Sequence, residues 1–261
     1  MTEKLQLVED IIKRVVATGF VKNSMPLSSL IVAPVGGGKT TTLQKFIRNK
    51  NIFALSDVTP YGLTKLLPEI KANDVRHLII FDLVEPMSRN KSTVNNFIGF
   101  MNSLIEEGIF RISTGFIDVK EPIQLGLITC TTDHELRDKR RGWHGIGFIS
   151  RLLPVSFTYS KADVIRILQK ISEQGIESIQ YEKLKALKKN IRLDPEISKQ
   201  LIPYAQAIDG DSGSMPFRRQ KQLMTLLMGN ALLRGSDIVE KTDFEWFQSV
   251  ANYINFDLNP L

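Results

Sequence analysis

The segment SLIVAPVGGGKTT, residues 29–41, decides the fold. Ser29–Ala33 is a short apolar run without charge, the pattern of a buried strand. Gly36, Gly37 and Gly38 turn the chain, and Lys39 opens a predicted helix over 39–49. Ala33 to Thr40 matches the phosphate-loop pattern with alanine in place of the first glycine, and both flanks are right: a strand before it and a helix after it. Three glycines let the backbone curl so that several N–H groups converge on phosphate, and the helix N-terminus adds partial positive charge. Lys39 is placed to reach the β- and γ-phosphates of ATP, and the Thr40 hydroxyl to ligate Mg²⁺. Val35 and Thr41 complete the predicted phosphate-binding run. Pro34 belongs to it for shape, because it stiffens entry into the loop and has no N–H to donate.

A phosphate loop needs an acid at the tip of a second apolar strand to hold Mg²⁺ through water. His77–Asp82, HLIIFD, supplies one, and Asp82 is expected in that role. Many such ATPases carry glutamate directly after this aspartate to polarise the attacking water. This chain has Leu83. Glu85 is the nearest substitute, Glu106 and Glu107 are others, and slow hydrolysis is a further possibility.

Outward from these two strands, the first part of the chain alternates strand and helix. Ile52–Leu55, Leu125–Cys130 and Pro154–Thr158 are further strand candidates. A helix beginning near Ser92 presents Val94, Phe97, Ile98, Met101, Leu104 and Ile105 on one face and ends at Gly108. Phe110–Ser113 and Phe116–Val119 flank Gly115 as a small hairpin. Such alternation predicts an α/β fold, a three-layer αβα phosphate-loop domain with a parallel sheet. From about residue 160 no convincing strand occurs, and helices are expected at 162–173, 179–189, 194–208, 217–234 and 242–255. The predicted division is a nucleotide-binding domain over 1–159 and a helical lid over 160–261.

Hydrophobic residues make up 43% of the 261 and charged residues 24%, a globular balance rather than a disordered one. No stretch approaches the roughly 20 apolar residues of a membrane span. The single cysteine, Cys130, excludes an internal disulfide and fits a reducing, cytoplasmic setting. No Cys/His spacing reads as a zinc site, and His77, His134 and His144 read as structural or surface residues. A net charge of +6 permits nucleic-acid binding without requiring it.

Taken in order, APVGGGKTT, LIIFD, FMNSLIEEGIFRISTGFIDVKEPIQLGLITCTTD, GFISRLLP and SMPFRRQKQLMTLLMGNALLRG resemble an AAA+ ATPase, with the middle most similar to the MoxR-type and MCM-type branches. The resemblance implies a first sensor at Thr131 or Thr132, with Thr132 preferred over the reading that these threonines only cap the next helix. It implies an arginine finger at Arg151, presented to a neighbouring subunit's γ-phosphate. It also implies a second sensor at Arg218, contacting ATP in the same chain, with Arg219 as the fallback. A shared site implies a homo-oligomer, commonly a six-membered ring or spiral. The MCM-like middle and the positive charge point to a DNA-associated substrate, as for a helicase, a helicase loader or a mobile-element regulator. The MoxR likeness points instead to remodelling of a protein partner, and Leu83 to a nucleotide-controlled scaffold.

Overall fold

The computed structural model describes residues 3–108, 112–114, 117–119, 123–145, 147–175, 178–209 and 215–256. In chain order these form α1 (Glu3–Ala17), β1 (Ser29–Val32), α2 (Lys39–Gln44), β2 (Ile52–Leu55), α3 (Pro60–Ala72), β3 (His77–Ile80), α4 (Val84–Met87) and α5 (Lys91–Asn102). There follow β4 (Ile112–Thr114), β5 (Ile117–Val119), β6 (Gly126–Thr131), α6 (Asp133–Gly145), β7 (Leu153–Ser156), α7 (Lys161–Gln174) and β8 (Arg192–Leu193). The chain closes with α8 (Pro195–Gln200), α9 (Ile202–Asp209), α10 (Phe217–Leu233), β9 (Ile238–Val239) and α11 (Lys241–Val250).

Five strands form one parallel sheet in the order β2-β3-β6-β1-β7, with β1 flanked by two strands that come later in the chain. The period of two sorts its side chains between two cores. Leu30, Val32, Leu78, Ile80 and Leu127 face the side covered by α3 and α5. Ile31, Ile79, Ile128, Cys130 and Val155 face the side covered by α1, α2, α10 and α11. Burial on both faces explains why these strands read as unbroken apolar runs. The expected α/β architecture with a parallel sheet is therefore present.

Helix α1 buries Val8, Ile11, Ile12, Val15 and Val16 along one face, at helical spacing. The hairpin also forms: β4 and β5 pair antiparallel, with Ser113 opposite Asp118, while its tip at Gly115 lies outside the described residues. Asn90, rather than Ser92, caps α5, its side chain accepting from Thr93 N at 3.0 Å.

Three expectations for the helices need correction. Helix α2 spans only 39–44, and turns carry the chain on to Asn49. No helix forms over 179–189. That segment is an extended strap whose backbone groups are committed elsewhere. Glu182 N donates to Lys45 O, Leu184 N to Asn49 Oδ1, and Lys189 N to Phe20 O. Leu184 and Ala186 turn in against the core while Lys183, Lys185 and Leu187 are exposed. The apolar spacing is equally readable as alternation, and tertiary pairing decides between the two. Finally, the region beyond 160 is not free of strands, since β8 and β9 pair in parallel.

The helical part does not close a core of its own among the described residues. Ala205, Leu223, Leu226, Leu227 and Phe247 share one apolar cluster with α1 and with the sheet residues Ile31 and Val155. Gly229 makes the α1–α10 approach possible: a Cβ there would lie 2.6 Å from Arg14 O. Trp246 and Phe247 of α11 pack differently. Phe247 is buried, whereas Trp246 donates to Asp10 Oδ2 of α1 at 2.9 Å beneath the Arg14 guanidinium.

Candidate nucleotide-binding site

The 33–40 loop leaves the carboxyl end of β1, an inner strand between β6 and β7, on the side where open α/β sheets bind ligands. Gly36 and Gly38 hold φ of 74° and 87°, the left-handed region, and Gly38 is the residue that caps α2. Gly37 N donates to Pro34 O at 3.1 Å, closing the turn. A side chain at Gly37 would press on that same carbonyl. Val35 stands out from the loop at 88% exposed. The first N–H groups of α2, from Lys39 to Thr41, have no carbonyl of their own helix to pair with and so face the loop's concavity.

Lys39 lies across this cradle, donating from Nζ to Ala33 O and Pro34 O, both at 2.8 Å. Burial pushes its pKa down, while Cys130, Asp82 and Asp133 around it oppose that shift. The ammonium therefore sits near Asp82, the acid expected to hold Mg²⁺. Cys130 is buried, its Sγ donating to Phe81 O at 2.5 Å, and burial pushes its thiol up to about 12. It stays a neutral thiol, a small buried residue on β6.

Asp82 is exposed at the tip of β3, and its Oδ1 accepts from Val84 N at 2.9 Å, leaving the other oxygen outward. The donor set fits a hard divalent cation beside a nucleotide: one hydroxyl, one carboxylate, and room for phosphate oxygens. Thr40 and Asp82 would hold it. Among the described residues no group of three or more His, Cys, Asp or Glu could hold a metal by itself, so a cation here would depend on the nucleotide.

Leu83 is fully buried in the α3/α5 core, and its N–H donates to Cys130 O at 3.0 Å. A glutamate at this position would face the core instead of the nucleotide. Glu85 is exposed in the first turn of α4. Thr132 caps α6, its Oγ1 accepting from Glu135 N at 3.2 Å. The capping alternative thus describes its observed bond. Thr131, one residue earlier, holds a buried hydroxyl with no hydrogen-bond partner among the described residues.

Two groups near the loop carried no sequence signal. Tyr159 donates from its hydroxyl to Gly37 O at 3.0 Å, and burial beside Glu9 and Asp163 pushes its pKa up to about 12. Asp133 faces Lys39 from the start of α6. Both come from distant positions, and only the folded chain brings them to the loop.

Arg151 and Arg218 are brought together, but at the other edge of the sheet. Arg151 precedes β7, and its Nη1 donates to Gly147 O at 2.7 Å. Its Nε pairs with Glu106 Oε2 at 2.5 Å. Arg218 donates from Nε to Glu106 Oε1 at 2.8 Å and from Nη1 to Ser150 Oγ at 2.6 Å. Glu106 itself sits beside the start of β6, where Gln124 donates to its carbonyl. One carboxylate thus binds both guanidiniums where the strands begin, whereas the phosphate loop lies where they end. An Arg218 contact with ATP in the same chain does not fit this arrangement. Arg219 fits it no better, being fully buried against Asp209, Gln222 and Leu152 O. Glu106, paired at the amino edge, is equally far from activating water at its own loop. The side chain of Glu107 lies outside the described residues.

No family model matches the chain, and no curated protein matches it. No helix among the described residues is long and apolar enough to cross a membrane.

Proposed function

We propose that this chain binds ATP with Mg²⁺ at the 33–40 loop and hydrolyses it at a site completed by a second copy, as an AAA+ type ATPase. The observation that carries this reading is the loop: left-handed Gly36 and Gly38, with Lys39 held among Asp82, Asp133 and Cys130 at the carboxyl edge of the sheet. Lys39 neutralises phosphate charge, Thr40 and Asp82 hold the cation, and the loop N–H groups position the transferred phosphoryl group. Arg151 and Arg218, together at the amino edge, serve the loop of the next copy, where a guanidinium stabilises charge that develops in transfer.

Complementation tests the shared site. Lys39→Ala removes the loop of its own copy but keeps both arginines, and Arg151→Ala does the reverse. Each alone should release phosphate at a small fraction of the wild-type rate, with a loss on the order of 10³-fold or more for the arginine. Mixing the two should restore part of the activity. A wild-type rate for Arg151→Ala, or no recovery in any mixture, contradicts the shared site.

For the substrate, the reading is a DNA-associated one, supported by the net charge of +6 and the β4–β5 hairpin. Phosphate release should then rise with added DNA and lose that rise as salt is increased. A nucleotide-held scaffold is the second reading, favoured by the buried Leu83. It requires bound ATP to outlast assembly, with hydrolysis unchanged by DNA.

A further inference from the structure

The strap over 178–191 turns a run of lysines outward. Lys183, Lys185, Lys188 and Lys189 fall within KLKALKK, residues 183–189. A helix over these residues would scatter their charges around its axis. The extended backbone sorts them instead. Leu184 and Ala186 turn in against the core, while Lys183 and Lys185 are exposed on the outer side. Neither of these two has an ion pair among the described residues. Lys188 pairs with Asp74 at 2.5 Å, and Lys189 donates to Gly235 O.

The segment beneath the strap adds to this charge. Asn49 clamps the backbone of Glu182 and Leu184, which places its neighbours Arg48 and Lys50, both exposed, beside Lys183 and Lys185. Arg48 lies over the Tyr181 ring, 3.6 Å from its centroid, and the stacking sets the plane of the guanidinium. Lys22, also exposed, follows at the far end, where its backbone N–H donates to Lys189 O. Arg48, Lys50 and Lys22 have no ion pair among the described residues either. The two acids that these contacts bring in, Glu182 and Asp74, are each paired with a lysine. The cations of this face therefore stand uncompensated.

We infer that this face binds the phosphate backbone of DNA, independent of sequence. Alternate residues of an extended chain stand about 6.6 Å apart. Two phosphates along one DNA strand rise by about 6.8 Å. Lys183 and Lys185 thus run in step with a strand, and the Arg48 guanidinium offers a planar donor to a neighbouring phosphate. Such contacts fix position and carry no sequence information. A membrane surface requires an apolar face beside the charge. Here the apolar side of the strap is turned into the core, and Leu187 alone of its described apolar residues is exposed. A protein partner requires apolar or aromatic anchors at the centre of the contact, and one leucine does not supply them. The inference rests on the DNA-associated reading and names the surface that meets the DNA; ATP does not enter it.

Fluorescence anisotropy of a short labelled DNA duplex, titrated with the full chain without nucleotide, tests the surface. Lys183→Gln with Lys185→Gln should lower affinity by about tenfold or more at about 0.1 M salt. The same pair should reduce the slope of log affinity against log salt by about 2. Lys183→Arg with Lys185→Arg should retain both affinity and slope. Lys91→Gln with Lys161→Gln removes the same charge from the first turns of α5 and α7. That pair should bind within about twofold of wild type, since salt screens distant charges. Equal losses in the two glutamine pairs would reduce the effect to net charge and overturn the proposal. Wild-type affinity in the strap variant would overturn it and leave the DNA-associated reading standing. No binding by wild type at low salt would refute both. Phosphatidylserine vesicles bound more tightly than the duplex, with the same dependence on Lys183 and Lys185, would assign the face to a membrane and overturn the proposal.

Discussion

Glu106 and Arg219 are both held by opposite charge, and their surroundings separate their contributions. Glu106 bridges Arg151 and Arg218 with about a third of its side chain in water, so solvent screens much of each attraction. Arg219 is fully buried against Asp209 and Leu152 O. Removing its side chain takes the guanidinium away from the buried Asp209 carboxylate. In denaturant unfolding, Arg219→Ala should cost about 3–5 kcal/mol. Glu106→Ala should cost about 1 kcal/mol or less. Equal losses would contradict this account of the amino edge. At this scale the sequence was legible wherever the chemistry is local. Gly36, Gly38, Lys39 and Thr40 lie within one turn of chain, after β1 and into the start of α2, the strand and helix expected on either side. Arg218 was not legible, because its position depends on which end of α10 meets which edge of the sheet. Thr132 was half legible, since a threonine before a helix serves equally as cap and as sensor.

The strap over 178–191 shows the same limit for elements. Its apolar residues suit a helix and a half-buried extended chain alike, and hydrogen bonds from 130 or more residues away decide. Asn49 is the clamp: its amide donates to Phe46 O and Glu182 O, and its Oδ1 accepts from Leu184 N. Asn49→Ala leaves two part-buried backbone groups, Glu182 O and Leu184 N, without that partner and should cost about 1–3 kcal/mol. Limited proteolysis should then cut first within 178–189, and a cleavage pattern identical to wild type would argue against the clamp. The sheet strands were legible for the opposite reason. Five short apolar runs, buried on both faces, admit one reading once turns bound them. Helix α7 was legible as a helix but not as one whose Val164, Ile165, Leu168 and Ile171 stand exposed, since an apolar stripe does not say what covers it.

Across the molecule, His77 ties the sheet to the segment before β1. It is fully buried, and its Nε2 meets Leu27 O at 3.2 Å. Gly126 leaves room for its ring, since a Cβ there would lie 2.5 Å from His77 Cδ2. Burial lowers its pKa from 6.5 to about 3. The unfolded chain therefore takes up a proton below pH 6.5 that the folded chain refuses. Stability is full above that pH and falls as pH drops toward 3. Between pH 6.5 and 4.5 this group alone should remove about 2–3 kcal/mol. His77→Gln should flatten that part of the stability curve, and an unchanged slope would show that other groups produce it. The apolar cluster uniting α1, the sheet, α10 and α11 further predicts that the two halves unfold together.

The proposed binding of ATP at the 33–40 loop underlies every statement about catalysis by the chain. Calorimetric titration of MgATP into wild type and Lys39→Ala tests it directly. The account predicts saturable, Mg²⁺-dependent binding by wild type at one site per chain. It predicts a loss of at least about 100-fold in Lys39→Ala, whose fold is unchanged by circular dichroism. Equal affinity of the two proteins for MgATP would contradict it.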